Sequence, residues 1–401
     1  MLDYLLRSII REGALAVRGP DGKLHCVGCS EADAPVIVHI RDHATLRRIA
    51  RRPGLAVGEA YMDGGLTIER GALYDFLAVA TRNLRHLAQR RGLFGRKRRP
   101  RNPRRAARRN VARHYDLSGD LYRLFLDEDR QYSCAYFPHP GMSLDEAQIA
   151  KKRHIAAKLL LEPGQRVLDI GSGWGGLALT LAEEHGAEVL GVTLSSEQLA
   201  ESRKRAAQRG LERRVKFEPL DYRDVHGKFD RIVSVGMFEH VGPAHYETFF
   251  DAIARLLEDK GVALLHTIGR MDGPSGGNAW IEKYIFPGGT IPALSQIAPA
   301  IERAGLIITD IEVLRLHYAE TLRAWSARFA ANREKVRALY DERFCRMWEF
   351  YLAGAEAGFR EGALVVFQVQ MAKDRHAVPL TRDYITDFDR AHAPAASIAA
   401  E

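Results

Sequence analysis

The sequence predicts an α/β protein whose larger part is a doubly wound, mainly parallel sheet, preceded by a small mixed α/β domain. Three observations point there. Past residue 140, apolar runs of strand length alternate with helical segments. A glycine-rich turn directly follows the first of those runs, and a block of basic residues separates this regular region from an N-terminal stretch of different pattern. With 401 residues, 46% hydrophobic and 27% charged, the chain can bury a large core and is long enough for two or three domains.

The N-terminal part, 1–90, holds a short apolar run over Val36–Ile40, a glycine-rich stretch over Gly58–Gly65 and an apolar segment over Leu73–Val79. Spacing alone names no chemistry for it. Cys26 and Cys29 form a CxxC, but no second Cys or His pair stands at zinc-site spacing, so two ordinary thiols are expected and no metal. Four cysteines in a chain of this length do not suggest a disulfide framework. No run approaches the ~18 to 20 apolar residues of a membrane span, and Met1-Leu2-Asp3 lacks the basic-then-apolar opening of a secretory signal, so a cytoplasmic protein is expected.

The net charge of +8 is concentrated in one place: Arg90 to Arg113 contains twelve Arg or Lys residues, and no acidic residue lies between Thr81 and Tyr115. Such a block repels itself and reads as a solvated linker, 91–113, that meets something anionic. Charge by itself does not separate nucleic acid from anionic phospholipid. The regular domain is expected over 114–390, with a flexible tail over 391–401.

Within that domain, Ser143 and Glu146 form a capping box that opens a helix, and Pro163-Gly164 is expected to end it. The strand Arg166–Ile170 follows, then the loop Gly171-Ser172-Gly173-Trp174-Gly175-Gly176, then a helix to about His185. Further strands are expected over Ala187–Val192, Phe229–Val235 and Val262–Ile268. Leu306–Leu314 and Leu364–Gln370, separated by a long helical region, close the sheet with an added antiparallel strand.

Glycines at 171, 173 and 176 fit GxGxxG, which makes a dinucleotide the first candidate ligand. Asp169 argues against it. A carboxylate at the end of the first strand would repel a pyrophosphate, yet it suits the ammonium group of S-adenosylmethionine, which carries no phosphate. The second strand runs into Thr193-Leu194-Ser195-Ser196-Glu197-Gln198 without the acidic residue that commonly holds ribose hydroxyls. Gln198 can substitute by accepting through its amide oxygen, and Asp221-Tyr222, after the third strand, can place a carboxylate on the adenine amine.

Six separated motifs together resemble the cyclopropane-fatty-acyl-phospholipid synthases over nearly the whole chain. They are Tyr132-Ser133-Cys134-Ala135-Tyr136-Phe137, the loop Leu168–Gly176, Thr193–Gln198, Met237-Phe238-Glu239-His240-Val241-Gly242, Leu265-His266-Thr267-Ile268-Gly269 and Lys283-Tyr284-Ile285-Phe286-Pro287-Gly288-Gly289. Tyr61-Met62-Asp63-Gly64 is similar to a segment of the family's N-terminal lipid-binding domain. The resemblance implies a Rossmann-like methyltransferase sheet and transfer of a methylene unit from S-adenosylmethionine to the cis double bond of a phospholipid acyl chain. It assigns Tyr132, Ser133, Gly171, Gly173 and Gly175 to the cofactor. It also implies a bicarbonate ion beside the double bond, held by residues matching Cys134, Glu239, His266, Ile268 and Tyr318, the last on the local motif His317-Tyr318-x-x-Thr321-Leu322. The implied partner is a bilayer surface with unsaturated chains at the inner face of the membrane, not nucleic acid; a homodimer is left open.

Read without the resemblance, Cys134 is a buried thiol and His266, inside an apolar run, a core histidine. Glu239, just past an apolar strand, stands at the carboxyl edge of the sheet, where α/β folds bind ligands. Methyl transfer to an alkene leaves a carbocation, for which aromatic faces are the natural stabilisers, and Tyr136, Phe137, Tyr284 and Phe286 are the candidates. A nucleic-acid methyltransferase is disfavoured by the lack of a Pro-Cys nucleophile and of an Asn/Asp-Pro-Pro-Tyr motif. A non-catalytic lipid-surface protein would have no need of the intact Cys134, Glu239 and His266 set. A methyl-branched product is not separated from a ring by these residues.

Overall fold

A computed structural model of the protein describes residues 2–29, 35–91 and 118–392. The basic block read as a linker over 91–113, and the tail read over 391–401, lie outside the described residues except at 91, 391 and 392. In chain order the elements are α1 (Leu2–Ile9), β1 (Leu15–Arg18), β2 (Leu24–Val27), β3 (Val36–Ile40), α2 (His43–Arg51), α3 (Pro53–Met62), β4 (Leu66–Arg70) and α4 (Leu73–Arg91). Then come α5 (Gly119–Phe125), α6 (Leu144–Leu159), β5 (Arg166–Ile170), α7 (Gly176–His185), β6 (Glu188–Val192), α8 (Ser196–Gln208), β7 (Val215–Glu218), β8 (Phe229–Val235), α9 (Tyr246–Leu256) and β9 (Leu257–Arg270). The chain continues through α10 (Ala279–Tyr284), α11 (Leu294–Arg303), β10 (Ile307–Leu314), α12 (His317–Ala331), α13 (Arg333–Leu339), α14 (Glu342–Arg360), β11 (Leu364–Ala372) and α15 (Asp383–Ala391).

Contacts divide the chain into two units. The first takes in Met1–Arg98, Ser275–Pro287 and Ala319–Leu364. Its sheet has the order β2-β1-β3-β4, with β1 parallel to β3 and the other pairs antiparallel. Val36, Val38 and Ile40, alternating along β3, join Leu15, Val17, Phe76 and Leu77 and, from α14, Ala353 and Ala357 in one apolar cluster. At the end of β2, Cys26 and Cys29 are paired as a disulfide, which corrects the reading of two thiols. Gly28, at φ +69°, turns the chain so that their Cα atoms stand 6.2 Å apart, inside the range a disulfide spans.

The second unit takes in Arg99–Pro274, Gly288–Tyr318 and Val365–Glu401 and carries the large sheet, order β10-β11-β9-β8-β5-β6-β7. The pairs β6–β7, β5–β6, β5–β8 and β8–β9 are parallel and β10–β11 is antiparallel, the doubly wound sheet with an added strand that the sequence predicts. Side chains alternate between two apolar clusters. Leu168, Ile232 and Leu265 pack with α9 and α11, whereas Val167, Val233 and Leu264 pack with α6 and α7. This period of two leaves each strand buried on both faces, the mark of a sheet sandwiched by helices. The capping box that opens α6 is present, with Ser143 N–H donating to Glu146 at 2.8 Å and Glu146 N–H to Ser143 Oγ at 3.3 Å. The helix stops before Pro163-Gly164, at Leu160, which takes a left-handed conformation at φ +50°. No helix among the described residues is long and apolar enough to cross a membrane.

Candidate active site

The carboxyl ends of β5, β6 and β8 open onto a cavity of about 160 Å³. Its wall includes nine residues read as cofactor-binding: Tyr132, Ser133, Asp169, Gly171, Gly173, Thr193, Gln198, Asp221 and Tyr222. The loop after β5 makes this approach possible by left-handed backbone at Gly171, Gly173 and Gly175, with φ of +85°, +54° and +81°. The three do different work. A Cβ on Gly173 would point into open space, while one on Gly171 would lie 2.8 Å from Met237. Gly175 does not line the cavity. It caps α7, and a Cβ there would lie 2.7 Å from Phe217, so its smallness serves strand-helix packing.

Asp169 is 2% exposed, and its Oδ2 has no partner among the described residues. Burial pushes its carboxyl up to about 7, against the pull of nearby Lys151. An orphaned carboxylate oxygen on the cavity wall is the feature an ammonium group would satisfy. Two other expectations are modified by internal bonds. Gln198 Oε1 already accepts the Thr193 hydroxyl at 3.1 Å, and both Asp221 oxygens accept from Arg223, at 2.8 and 2.6 Å. Arg223 is two residues away in the same tight turn, which is why it reaches back so readily.

The second group stands around Glu239, in a 3-10 turn just past β8. Glu239 Oε1 accepts the Ile268 N–H at 2.6 Å, so the backbone amide that would be offered to a bound anion is used by Glu239 itself. Oε2 is shut off from solvent and has no hydrogen-bond partner among the described residues, although the Thr267 side chain stands close enough to favour the ionised carboxyl. Burial pushes the carboxyl up to about 7, the Ile268 bond opposing it. His266, paired with Val235 across β8–β9, is 1% exposed. The Gln368 amide nitrogen faces its Nδ1 at 3.1 Å; in that orientation Nδ1 accepts and the proton sits on Nε2, which has no partner. Burial, aided by Lys151 and Lys158, holds His266 well below its usual pKa, so it is neutral.

Cys134 is 1% exposed, its Sγ facing the Ala135 carbonyl at 3.2 Å, and Tyr318 is buried at the start of α12. The next residue back, His317, ties the two segments together by accepting the Phe137 N–H at Nδ1, 2.9 Å. The aromatic faces expected to meet a carbocation are partly spoken for. Tyr136 is stacked by His154 at 4.1 Å and by His317 at 5.1 Å. In the other unit, Tyr284 lies under Lys283 and Arg343 and donates to Glu59 at 2.9 Å. Both rings already carry stacking or cation contacts of their own.

The structure adds residues that the sequence reading passed over. Arg130, Gln131, Trp174, His240 and His245 line the cavity, and Lys151 stands behind it. Lys151 did leave a signal: it shares the i, i+4, i+8 stripe of α6 with buried Ile155 and Leu159, a place where a lysine is out of pattern.

A doubly wound sheet whose first strand, just before a glycine-rich turn, brings a buried carboxylate to the wall of a cavity describes an S-adenosylmethionine-dependent methyltransferase. The sequence model of the mycolic acid cyclopropane synthetase family matches residues 102–369, and the chain belongs to that family. Over 360 residues it is 38% identical to the cyclopropane-fatty-acyl-phospholipid synthase of Escherichia coli (strain K12), covering 85% of this chain and 88% of that protein. To the tuberculostearic acid methyltransferase of Mycobacterium tuberculosis it is 39% identical over 369 residues, covering 86% and 85%. Among solved structures, mycolic acid cyclopropane synthase CmaA1, complexed with S-adenosylhomocysteine and CTAB, superposes with a TM-score of 0.63 at 36% identity, over 66% of this chain and 97% of its own.

Proposed function

We propose that this protein transfers a methylene unit from S-adenosylmethionine to the cis double bond of an acyl chain in an assembled phospholipid, closing a cyclopropane ring. One observation carries the reading beyond the family: Glu239 Oε2 and His266 Nε2, an acceptor and a donor, are both buried without partners among the described residues. Unpaired buried groups cost ~1 to 3 kcal/mol each, and a small anion with one hydroxyl would satisfy both at once. Bicarbonate meets that description. Glu239, His266 and Tyr318 would hold it, with Cys134 and Ile268 shaping the wall, and it would supply a mobile proton acceptor where a tethered carboxylate has less reach.

S-adenosylmethionine supplies the methyl group on a sulfonium. In the proposed site Asp169 takes its ammonium, Tyr132 and Ser133 the rest of its amino-acid end, Gly171 and Gly173 give it backbone approach, and Thr193, Gln198, Asp221 and Tyr222 line the nucleoside end, while Gly175 holds the loop from behind. The alkene is a feeble nucleophile, so positioning in a water-excluded pocket carries much of the catalysis, an effect reaching ~7 to 11 kcal/mol in favourable cases.

The phospholipid substrate is supported by the N-terminal part. The family model begins at residue 102, yet the Escherichia coli alignment covers 85% of this chain, more than lies beyond that point. We assign 1–90 to lipid binding, 91–113 to a basic linker that meets an anionic bilayer, and 114–390 to methyl transfer. Binding to anionic vesicles should then fall steeply with salt, at ~1 kcal/mol per basic residue near the surface.

Mass spectrometry of phospholipids from a host expressing the protein tests the product. The expected acyl chain has gained one methylene, has lost its double bond and resists ozonolysis. The similar match to a tuberculostearic acid methyltransferase favours a second reading, a methyl-branched chain, and a branched product would replace ring closure.

A further inference from the structure

Lys151 is fully buried, yet among the described residues its Nζ makes no ion pair. Its protons go to two neutral groups, Gln131 Oε1 at 2.7 Å and Ser133 Oγ at 2.9 Å. Both residues line the cofactor cavity, as does Asp169, whose carboxyl feels the same ammonium. Burying an ammonium costs several kcal/mol, so a lysine kept there without a carboxylate in contact calls for a use.

The use follows from hydrogen-bond direction. An ammonium can only donate, whereas a serine hydroxyl has one proton and two acceptor sites. Because Ser133 Oγ accepts from Lys151, its own proton must point elsewhere, and Ser133 stands on the cavity wall. Gln131 is less free for that role, since its Oε1 accepts from Lys151 and one of its two Nε2 protons goes to Asp129 at 2.9 Å. Lys151 thus sets the polarity of the wall: a donor at Ser133, backed by a positive charge, on one side, and the unpaired acceptor Asp169 on the other. An amino-acid zwitterion has the opposite polarity.

We infer that Lys151 is a positioning residue that turns the Ser133 hydroxyl into a donor for the carboxylate of S-adenosylmethionine, while Asp169 takes its ammonium. This rests on the cofactor site proposed above. Asp127 and Asp129 favour the charged lysine, Lys152 opposes it, and burial pulls its pKa down to about 8.

Calorimetry with two probes separates the role from a structural one. S-adenosylhomocysteine carries the amino-acid end; 5′-methylthioadenosine has the same nucleoside without it. Lys151→Met should weaken the first by about 10- to 100-fold, the loss of one charge-assisted bond, and leave the second unchanged. Ser133→Ala should do the same, and the double variant should lose little more than either, since the two act in series. Equal losses for both probes, no loss for either, or additive losses would overturn the inference. If Lys151→Met fails to fold, Lys151→Gln takes its place with the same expectations. Asp169→Asn tells the two readings apart. If it and Ser133→Ala leave S-adenosylhomocysteine binding intact, the cofactor site is wrong; if they weaken it and Lys151→Met does not, only the role of Lys151 fails.

Discussion

The cofactor cavity and the Glu239–His266 pair stand at strand ends of one sheet, yet they are built differently. The cavity is framed by segments past the strand ends, at 171–174 after β5, at 193–198 after β6, at 220–223 past β7 and at 236–245 after β8, together with 130–133. Among the described residues, the orphans on its wall are Asp169 Oδ2, Ser172 Oγ, Arg130 Nη1 and His245 Nε2. The Glu239–His266 pair draws on a turn after β8, the middle of β9 and Gln368 of β11, residues more than a hundred positions apart. There the orphans among the described residues are two acceptors, Glu239 Oε2 and Gln368 Oε1, and one donor, His266 Nε2, sealed from solvent. On the proposed function, the first arrangement would hold a large ligand by many contacts and the second a small one by a few strong ones.

The largest effect should come from the turn. Gly173→Val places a β-branched side chain at φ +54° and fills the space that a ligand would take. Binding of S-adenosylhomocysteine and turnover should both vanish, by calorimetry and assay. Unchanged affinity would mean that the loop does not touch the cofactor.

Next, Glu239→Ala and His266→Ala should lose about 100-fold or more in turnover, in the range for a proton-transfer partner, with cofactor affinity nearly unchanged. That split is what distinguishes the two regions. Removing dissolved carbon dioxide should slow the wild type and added bicarbonate restore it. Full activity in thoroughly degassed buffer would make Glu239 itself the base and remove the anion.

The two regions also differ in how far the sequence revealed them. The turns were legible because glycines, capping residues and strand ends are local signals, and β5 and β8 fell where the apolar runs placed them. The four-residue strands β1, β2 and β7 were too short to stand out, and only Val27 of β2 is buried. Glu239 was legible from its place just past an apolar strand, but His266 only through resemblance, because a histidine in an apolar run looks like core until its partners are known. The Asp221–Arg223 pair and the stacking on Tyr136 had no signal at all, since each depends on side-chain direction.

A smaller effect, about tenfold per pH unit at most, follows from Asp169. Its carboxyl is raised from 3.8 to about 7 by burial, so between those values the folded protein holds a proton that the unfolded chain has lost. The stability this group contributes is therefore fully present below pH 3.8 and lost as pH rises through about 7. An ammonium ligand selects the ionised form, so S-adenosylhomocysteine affinity should rise with pH up to about 7. Asp169→Asn should flatten both profiles; a slope that survives the substitution belongs to another group.

The smallest effect is expected at Cys134, and it places this residue in the comparison. The resemblance groups Cys134 with Glu239 and His266, yet it directly follows Ser133 on the segment that walls the cofactor cavity. Nucleophilic use would put the methyl on sulfur as a neutral thioether, which no longer carries the sulfonium needed to pass it to an alkene. A structural use asks only for a small side chain that fills a closed space, and the hydroxyl of Cys134→Ser can donate to the Ala135 carbonyl that Sγ now faces at 3.2 Å. Turnover should then fall by less than about tenfold, the scale of one altered buried polar contact. S-adenosylhomocysteine affinity should shift by a similar factor, because movement of this segment reaches Ser133 before it reaches Glu239. A loss of turnover as deep as that of Glu239→Ala, with affinity intact, would instead assign Cys134 to the anion side.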